Sequence, residues 1–190
     1  FDKIWVEKYR PKTLSDIILD NRTLEIIKEF KDEIPNLLFV GNPGTGKTTL
    51  AQIIVNDILK CNYLYINASD ESGIDTIRHN ITNFAQTKSF DGKVKVVILD
   101  EADGLTTQAQ SALRNTMETY AKYCRFVLTA NYKHKIIPAL QSRCQALDIK
   151  PVVESAVKRC YNILKNENIT VPEEQKKKFI QLVKRHFPDL

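Results

Sequence analysis

Three of the chain's six glycines, Gly41, Gly44 and Gly46, fall within six positions of the stretch LLFVGNPGTGKTTLAQIIV, Leu37 to Val55. An apolar run precedes them and a run with helical spacing follows. A strand, then Gly41-x-x-x-x-Gly46-Lys47-Thr48, then a helix is the phosphate-binding P-loop in the setting that gives the motif its meaning. Its glycines let successive backbone N–H groups curl around phosphates at a helix N-terminus, where the helix dipole also favours negative charge. Side chains there would block the approach. Lys47 is expected to reach the β- and γ-phosphates as a point charge, and the Thr48 hydroxyl to coordinate Mg²⁺. The competing reading is a plain glycine-rich turn.

Around this loop the chain alternates short apolar runs with amphipathic ones. Strands are predicted at Leu37–Val40, Tyr63–Asn67, Val94–Leu99, Arg125–Ala130 and Ala146–Ile149, each short and apolar enough for burial in a parallel sheet. The helices between them are predicted at Lys47–Leu59, from Ile74 to about Lys88, and at Thr107–Tyr120; the second carries Ile74, Ile77, Ile81 and Phe84 on one stripe. Repeated strand–helix units imply an open α/β domain with helices on both faces of the sheet. After Lys150-Pro151 the pattern turns purely helical, with VVESAVKRCYNILKNEN and PEEQKKKFIQLVKRHF reading as two helices and Pro172 near the first turn of the second. A nucleotide-binding α/β domain over 1–150 and part of a small helical domain over 151–190 are therefore expected.

Composition is compatible with this and narrows little else. At 190 residues and 43% hydrophobic, the chain has material for one core and part of another. A net charge of +5 permits a nucleic-acid partner without demanding one. Cys61, Cys124, Cys144 and Cys160 are far apart and include no C-x-x-C pair, which argues against a zinc knuckle or a disulfide framework and for reduced thiols in a cytosol-like compartment. No apolar run reaches the roughly 18 residues of a membrane span, and no signal peptide or lipidation motif is visible. The chain starts at Phe1 and stops inside a helical pattern, so it is expected to be a piece of a longer protein.

Two further motifs carry chemistry. In KVVILDEAD, Lys95 to Asp103, a strand ends in adjacent carboxylates at the carboxyl edge of the sheet, where open α/β folds bind ligands. Asp100 fits a residue holding Mg²⁺, directly or through water, and Glu101 a base that orients the attacking water. Taken alone, the pair could equally be a helix N-cap with first-turn charge. The spelling also matches that of DEAD-box helicases, but their downstream serine-alanine-threonine motif is missing. In FVLTANYKHKIIPALQSRCQALDI, a strand ending Thr129-Ala130-Asn131 could direct the Asn131 amide at the γ-phosphate or the water. Ser142-Arg143-Cys144 follows; alone, its arginine reads as a surface salt bridge.

Together the P-loop, LDEAD, TAN and SRC, with EKYRP at Glu7–Pro11, resemble the AAA+ ATPase subunits of sliding-clamp loaders, of the replication factor C small-subunit and T4-like bacteriophage kind. The likeness runs from Trp5 to Leu190. It implies a five-stranded parallel sheet with flanking helices, a helical lid cut short at Leu190, and a collar lying outside this chain. It implies ATP and Mg²⁺ as ligands, with Val6, Glu7, Lys8, Tyr9 and Ile18 around the adenine and Gly44, Thr45, Gly46, Lys47, Thr48 and Thr49 on the phosphates. Arg143 would be an arginine finger completing the neighbouring subunit's site. Partners would be the sliding clamp, other subunits of a ring and primer-template DNA, whose phosphates would meet Ser72, Gly73, Ile74 and Arg78 and the start of the Thr107–Tyr120 helix. Arg78 alone could be a solvated helix face. Gln110 and Arg114, one turn apart, could relay between DNA and ATP. The zinc-binding insert of bacterial clamp-loader motors is missing between Thr48 and Asp100, so no zinc is expected. The implied location is cytoplasm or nucleoid, or the nucleus in a eukaryote, neither secreted nor in a membrane. Competing functions are another AAA+ DNA motor, such as a branch-migration motor, and a clamp-loader subunit that binds nucleotide without hydrolysing it.

Overall fold

A computed structural model describes residues 4–31, 34–69, 73–87 and 92–188. Five strands, β1 (Leu37–Val40), β2 (Tyr63–Asn67), β3 (Lys95–Asp100), β4 (Cys124–Ala130) and β5 (Gln145–Asp148), form one sheet in the order β2-β3-β4-β1-β5, with every pairing parallel. Parallel neighbours need crossovers, and helices supply most of them. The chain opens with α1 (Trp5–Lys8) and α2 (Asn21–Lys28). It continues with α3 (Lys47–Ile53) after β1, α4 (Ile74–Gln86) after β2, α5 (Thr107–Thr119) after β3 and the short α6 (Pro138–Gln141) after β4. α2 and α5 begin where a short polar side chain caps them, Asp20 accepting from Thr23 N and Thr106 from Ala109 N.

The sheet separates two cores. Leu37, Phe39, Val96 and Ile98 pack with Leu50, Ile53 and Ile27 of α3 and α2 on one face. On the other, Leu38, Val97, Leu99, Phe126 and Leu128 meet Ile77 and Ile81 of α4, Leu113 and Met117 of α5, and Leu140 of α6. The connections leaving the neighbouring strands β1 and β4 thus run over opposite faces. Between their carboxyl ends opens the crevice in which such sheets bind ligands.

Several expectations need correction. β2 and β5 are edge strands, not buried ones: Tyr63 and Tyr65 are 38% and 41% exposed, and in β5 only Leu147 is buried. The third strand is displaced by one residue, so that Asp100 is its last member and pairs with Asn67. The fourth strand starts one residue earlier than expected, at Cys124, and the fifth is shifted to Gln145–Asp148. The helix predicted to reach Leu59 widens into a π-helical stretch, Ile54–Ile58. A wider turn spreads consecutive side chains over a smaller arc, and Ile53, Ile54 and Val55 all sit in the core. α4 stops at Gln86, short of Lys88, which lies outside the described residues. The buried Lys95 ammonium ends it by donating to the carbonyls of Phe84, Ala85 and Thr87.

Beyond Pro151 stand α7 (Val153–Asn166) and α8 (Lys176–His186), joined through the Tyr161 and Phe179 rings at 4.6 Å. α7 is tied to the N-terminal segment. Arg159 donates to the carbonyls of Asp16 and Tyr9, and Glu167 accepts from Lys8 Nζ (2.5 Å) and Tyr9 Oη (2.6 Å).

Candidate nucleotide site

The loop from Gly41 to Gly46 is shaped by contacts that only glycine allows. A Cβ on Gly41 would lie 2.7 Å from the Ile149 carbonyl oxygen and 2.9 Å from Thr45 Oγ1, so the loop can press against the end of β5. Gly46, at φ 86°, occupies the left-handed region as the N-cap of α3. The first turn of α3 therefore points its backbone N–H groups into the crevice at the carboxyl edge of the sheet.

Lys47 is 8% exposed, and its Nζ donates to the carbonyls of Gly41 (2.8 Å) and Asn42 (2.9 Å). An ammonium has three protons, so this anchoring aims the group and leaves donor capacity for an anion. Burial pulls its pKa below the ordinary lysine range, opposed by the carboxylates of Asp100, Asp103 and Glu101.

Asp100 is the hub. The residue is 7% exposed, and its carboxylate accepts three hydroxyls: Thr48 Oγ1 on both oxygens (2.8 and 2.9 Å), Thr129 Oγ1 on Oδ1 (2.5 Å) and Tyr65 Oη on Oδ2 (2.8 Å). Three strands and the P-loop helix converge on one carboxyl group. Thr129 also accepts from the Glu101 backbone N–H at 3.0 Å. Glu101 itself stands in the left-handed region at φ 55°, a conformation that costs a non-glycine residue about 1 kcal/mol or more and turns its side chain out of the strand. Its Oε2 accepts from Ser69 Oγ at 2.7 Å. The two carboxylates are thus separated by environment, one buried and accepting three hydroxyls, the other exposed and, among the described residues, accepting one.

The loop carrying Asn131 is held by Asp103, whose Oδ2 accepts from the backbone N–H groups of Asn131 and Tyr132, both at 3.1 Å. Thr129, Asp103, Tyr65 and Ser69 were not singled out by sequence reasoning. Thr129 lay inside the TAN motif, and Asp103 inside DEAD, so both were visible as letters. Tyr65 and Ser69 had no such signal, because their roles depend on β2 pairing with β3.

A cavity of about 980 Å³ joins these groups to the N-terminal segment and to α7 and α8. Of the residues assigned to nucleotide, Val6, Tyr9, Ile18 and Gly44 through Thr49 line it, as do Asp100, Glu101 and Asn131. Glu7 and Lys8 do not. They face outward from α1, Glu7 pairing with Arg10 (2.8 Å) and Lys8 with Glu167. Trp5, Arg159 and Cys160 take part in the lining instead.

Arg143 lies away from this cavity. Its guanidinium donates to Glu118 of α5 and to the Ala139 carbonyl (2.8 Å). Gly73 forms the N-cap position of α4 with no side-chain cap, and the exposed Arg78 pairs with Asp75 at 3.3 Å; Ser72 lies outside the described residues. Gln110 is buried; it donates to the Leu105 and Lys135 carbonyls and accepts from Ile137 N, while Arg114 donates to Asn115.

Residues 37–151, from the start of β1 to the residue before α7's lead-in, match the ATPase family associated with various cellular activities (AAA). The chain belongs to this family. Among similar curated proteins, the replication factor C small subunit of Archaeoglobus fulgidus is 44% identical over 180 residues, covering 90% of this chain and 56% of that protein. Replication factor C subunit 3 of Saccharomyces cerevisiae is 42% identical over 186 residues, covering 94% and 55%. This AAA chain therefore spans about half the length of the curated relatives it matches. A solved RuvB variant from Thermotoga maritima superposes with a TM-score of 0.70 over 93% of this chain and 64% of that one, at 17% identity, a likeness of fold.

Proposed function

We propose that this AAA chain binds ATP with Mg²⁺ at the crevice above β1, β3 and β4, and that it is the ATPase module of a sliding-clamp loader subunit, with residues 151–190 forming part of its helical lid. The observation that carries the reading is that Lys47, Thr48, Asp100, Glu101 and Asn131 all line a single cavity. The similarity to proteins named replication factor C supports the particular machine.

The donor set suits Mg²⁺. One hydroxyl, from Thr48, and one carboxylate, Asp100, are what a cation needs when phosphates and water supply most of its shell; no cluster of three or more His, Cys, Asp or Glu side chains is found among the described residues. When bound, Mg²⁺ would neutralise charge on the phosphate oxygens. The chain's own groups do the rest. The α3 N-terminus and Lys47 hold the β- and γ-phosphates. Glu101, held off the strand by its left-handed backbone, orients a water for attack on the γ-phosphorus and accepts its proton as the β–γ bridge breaks. Asn131, fixed through Asp103, offers an amide to the same oxygens or the water. Val6, Tyr9 and Ile18 enclose the base.

Arg143 would act in trans. It lies outside its own cavity, in the turn between α6 and β5, paired there with Glu118 and the Ala139 carbonyl. The N-terminus of α4 at Gly73, with Arg78 nearby and the start of α5, would track DNA phosphates without reading bases. The sliding clamp and sister subunits would be the protein partners.

Two variants test the reading in a mixed complex of full-length subunits. Glu101→Gln should leave ATP binding intact and slow hydrolysis at its own site at least ~100-fold. Arg143→Ala should leave its own affinity intact and silence the neighbour's site. Loss confined to the mutated subunit's own nucleotide would end the trans assignment, and normal hydrolysis by Glu101→Gln would move the base elsewhere.

A further inference from the structure

Asp100 receives a hydroxyl from each strand beside β3. Thr129 on β4 donates to Oδ1, and Tyr65 on β2 donates to Oδ2. The second contact follows from parity and register. Tyr65 pairs with Ile98 and Asn67 with Asp100, and side chains alternate along a strand, so Tyr63, Tyr65 and Asn67 share a face with Asp100. Tyr65 sits one pair below the carboxylate, and a ring as long as tyrosine's spans that diagonal and ends on Oδ2 at 2.8 Å. Packing does not require this. A phenylalanine there would cover nearly the same area, and Tyr65 is 41% exposed, whereas Asp100, whose carboxylate it reaches, is 7% exposed.

We propose that Tyr65 is a positioning residue for the Mg²⁺ of this site: with Thr129, it fixes the plane of the Asp100 carboxylate from the open side of the sheet. The two flanking hydroxyls take one oxygen each, and Thr48 Oγ1 lies across both. Held at both ends, the carboxylate can turn neither out to solvent past the edge strand nor toward the Lys47 ammonium. Thr48 Oγ1, the other group that would hold the cation, then lies against a carboxylate whose plane is already fixed. A carboxylate fixed in advance loses less freedom when it takes a ligand. The proposal rests on the assignment of Asp100 to the cation.

The test compares Tyr65→Phe, Asp100→Asn and wild type in the full chain, by titrating a fluorescent ATP analogue at fixed Mg²⁺ concentrations and in EDTA, with the thermal midpoint of each protein measured alongside. Removing the hydroxyl should raise the Mg²⁺ concentration needed for half-maximal stimulation of binding by about threefold to tenfold. This is less than the full effect of a hydrogen bond to a charged group, because water reaches part of this ring. Affinity in EDTA should stay within about twofold of wild type. If Asp100→Asn raises the Mg²⁺ requirement and Tyr65→Phe does not, the role given to Tyr65 is wrong and the metal site stands. Should Tyr65→Phe weaken binding equally with and without Mg²⁺, the tyrosine merely packs. If Asp100→Asn itself leaves the Mg²⁺ requirement unchanged, the metal assignment fails, and the proposal with it.

Discussion

Thr129→Val removes one oxygen from the centre of the site while keeping its shape. The side chain is 1% exposed and its hydroxyl works twice, donating to Asp100 Oδ1 at 2.5 Å and accepting from the Glu101 backbone N–H at 3.0 Å. The first is a hydrogen bond to a charged group in a buried place, worth about 1.5–3 kcal/mol. The second holds the residue whose backbone is left-handed at φ 55°. Its loss leaves an N–H that water can partly reach, so it adds toward the low end of the usual 1–3 kcal/mol for an unsatisfied group. Together the substitution should destabilise the fold by about 2–4 kcal/mol, lowering the thermal midpoint by roughly 5–15 °C in a chain of this size. Hydrolysis should fall more than binding, because Glu101 loses its anchor while Lys47 and the loop keep theirs. Thr129→Ser, which retains the hydroxyl, should recover most of both losses. Differential scanning calorimetry and single-turnover hydrolysis read the two effects separately. A Thr129→Val protein melting within about 1 °C of wild type would refute the view that this hydroxyl holds the two acidic residues together.

Lys47→Ala should weaken ATP binding by on the order of 2–3 kcal/mol, roughly 30- to 150-fold in affinity, since a charge-assisted phosphate contact is lost; equal affinities in calorimetry would sink the phosphate assignment. The Lys8 and Tyr9 hydrogen bonds hold Glu167 below its ordinary carboxylate value of 4.5, so the folded state binds fewer protons there than the unfolded chain. The link between α7 and the N-terminal segment should therefore be intact at neutral pH and be lost as pH falls below 4.5 through the lowered value. Hydrogen exchange at residues 5–9 reports it, and protection independent of pH across that range, or unchanged by Glu167→Gln, would show that Arg159 alone makes the attachment.

Much of the molecule was legible along the chain because the signals are local. Gly41, Gly44 and Gly46 mark a loop by what they lack, and their spacing to Lys47 and Thr48 is covalent. The alternation of apolar strands with helical stripes, which any parallel sheet imposes, announced the α/β class and placed Asp100, Glu101 and Asn131 at strand ends. Boundaries failed where a distant group decided them, as when the Lys95 ammonium closes α4 or the core draws Ile53, Ile54 and Val55 inward together. Burial failed at β2 and β5, since edge and centre are set by strand order, and order is a property of the whole sheet. The hydroxyls on Asp100 lay furthest from view. Thr48, Tyr65 and Thr129 stand 52, 35 and 29 residues from it, and nothing in their neighbours says that they meet. The residue types that chemistry requires are written in sequence, since each carries its own functional group. Which of them share a proton depends on parallel register across three strands, and only the folded sheet brings those strands side by side.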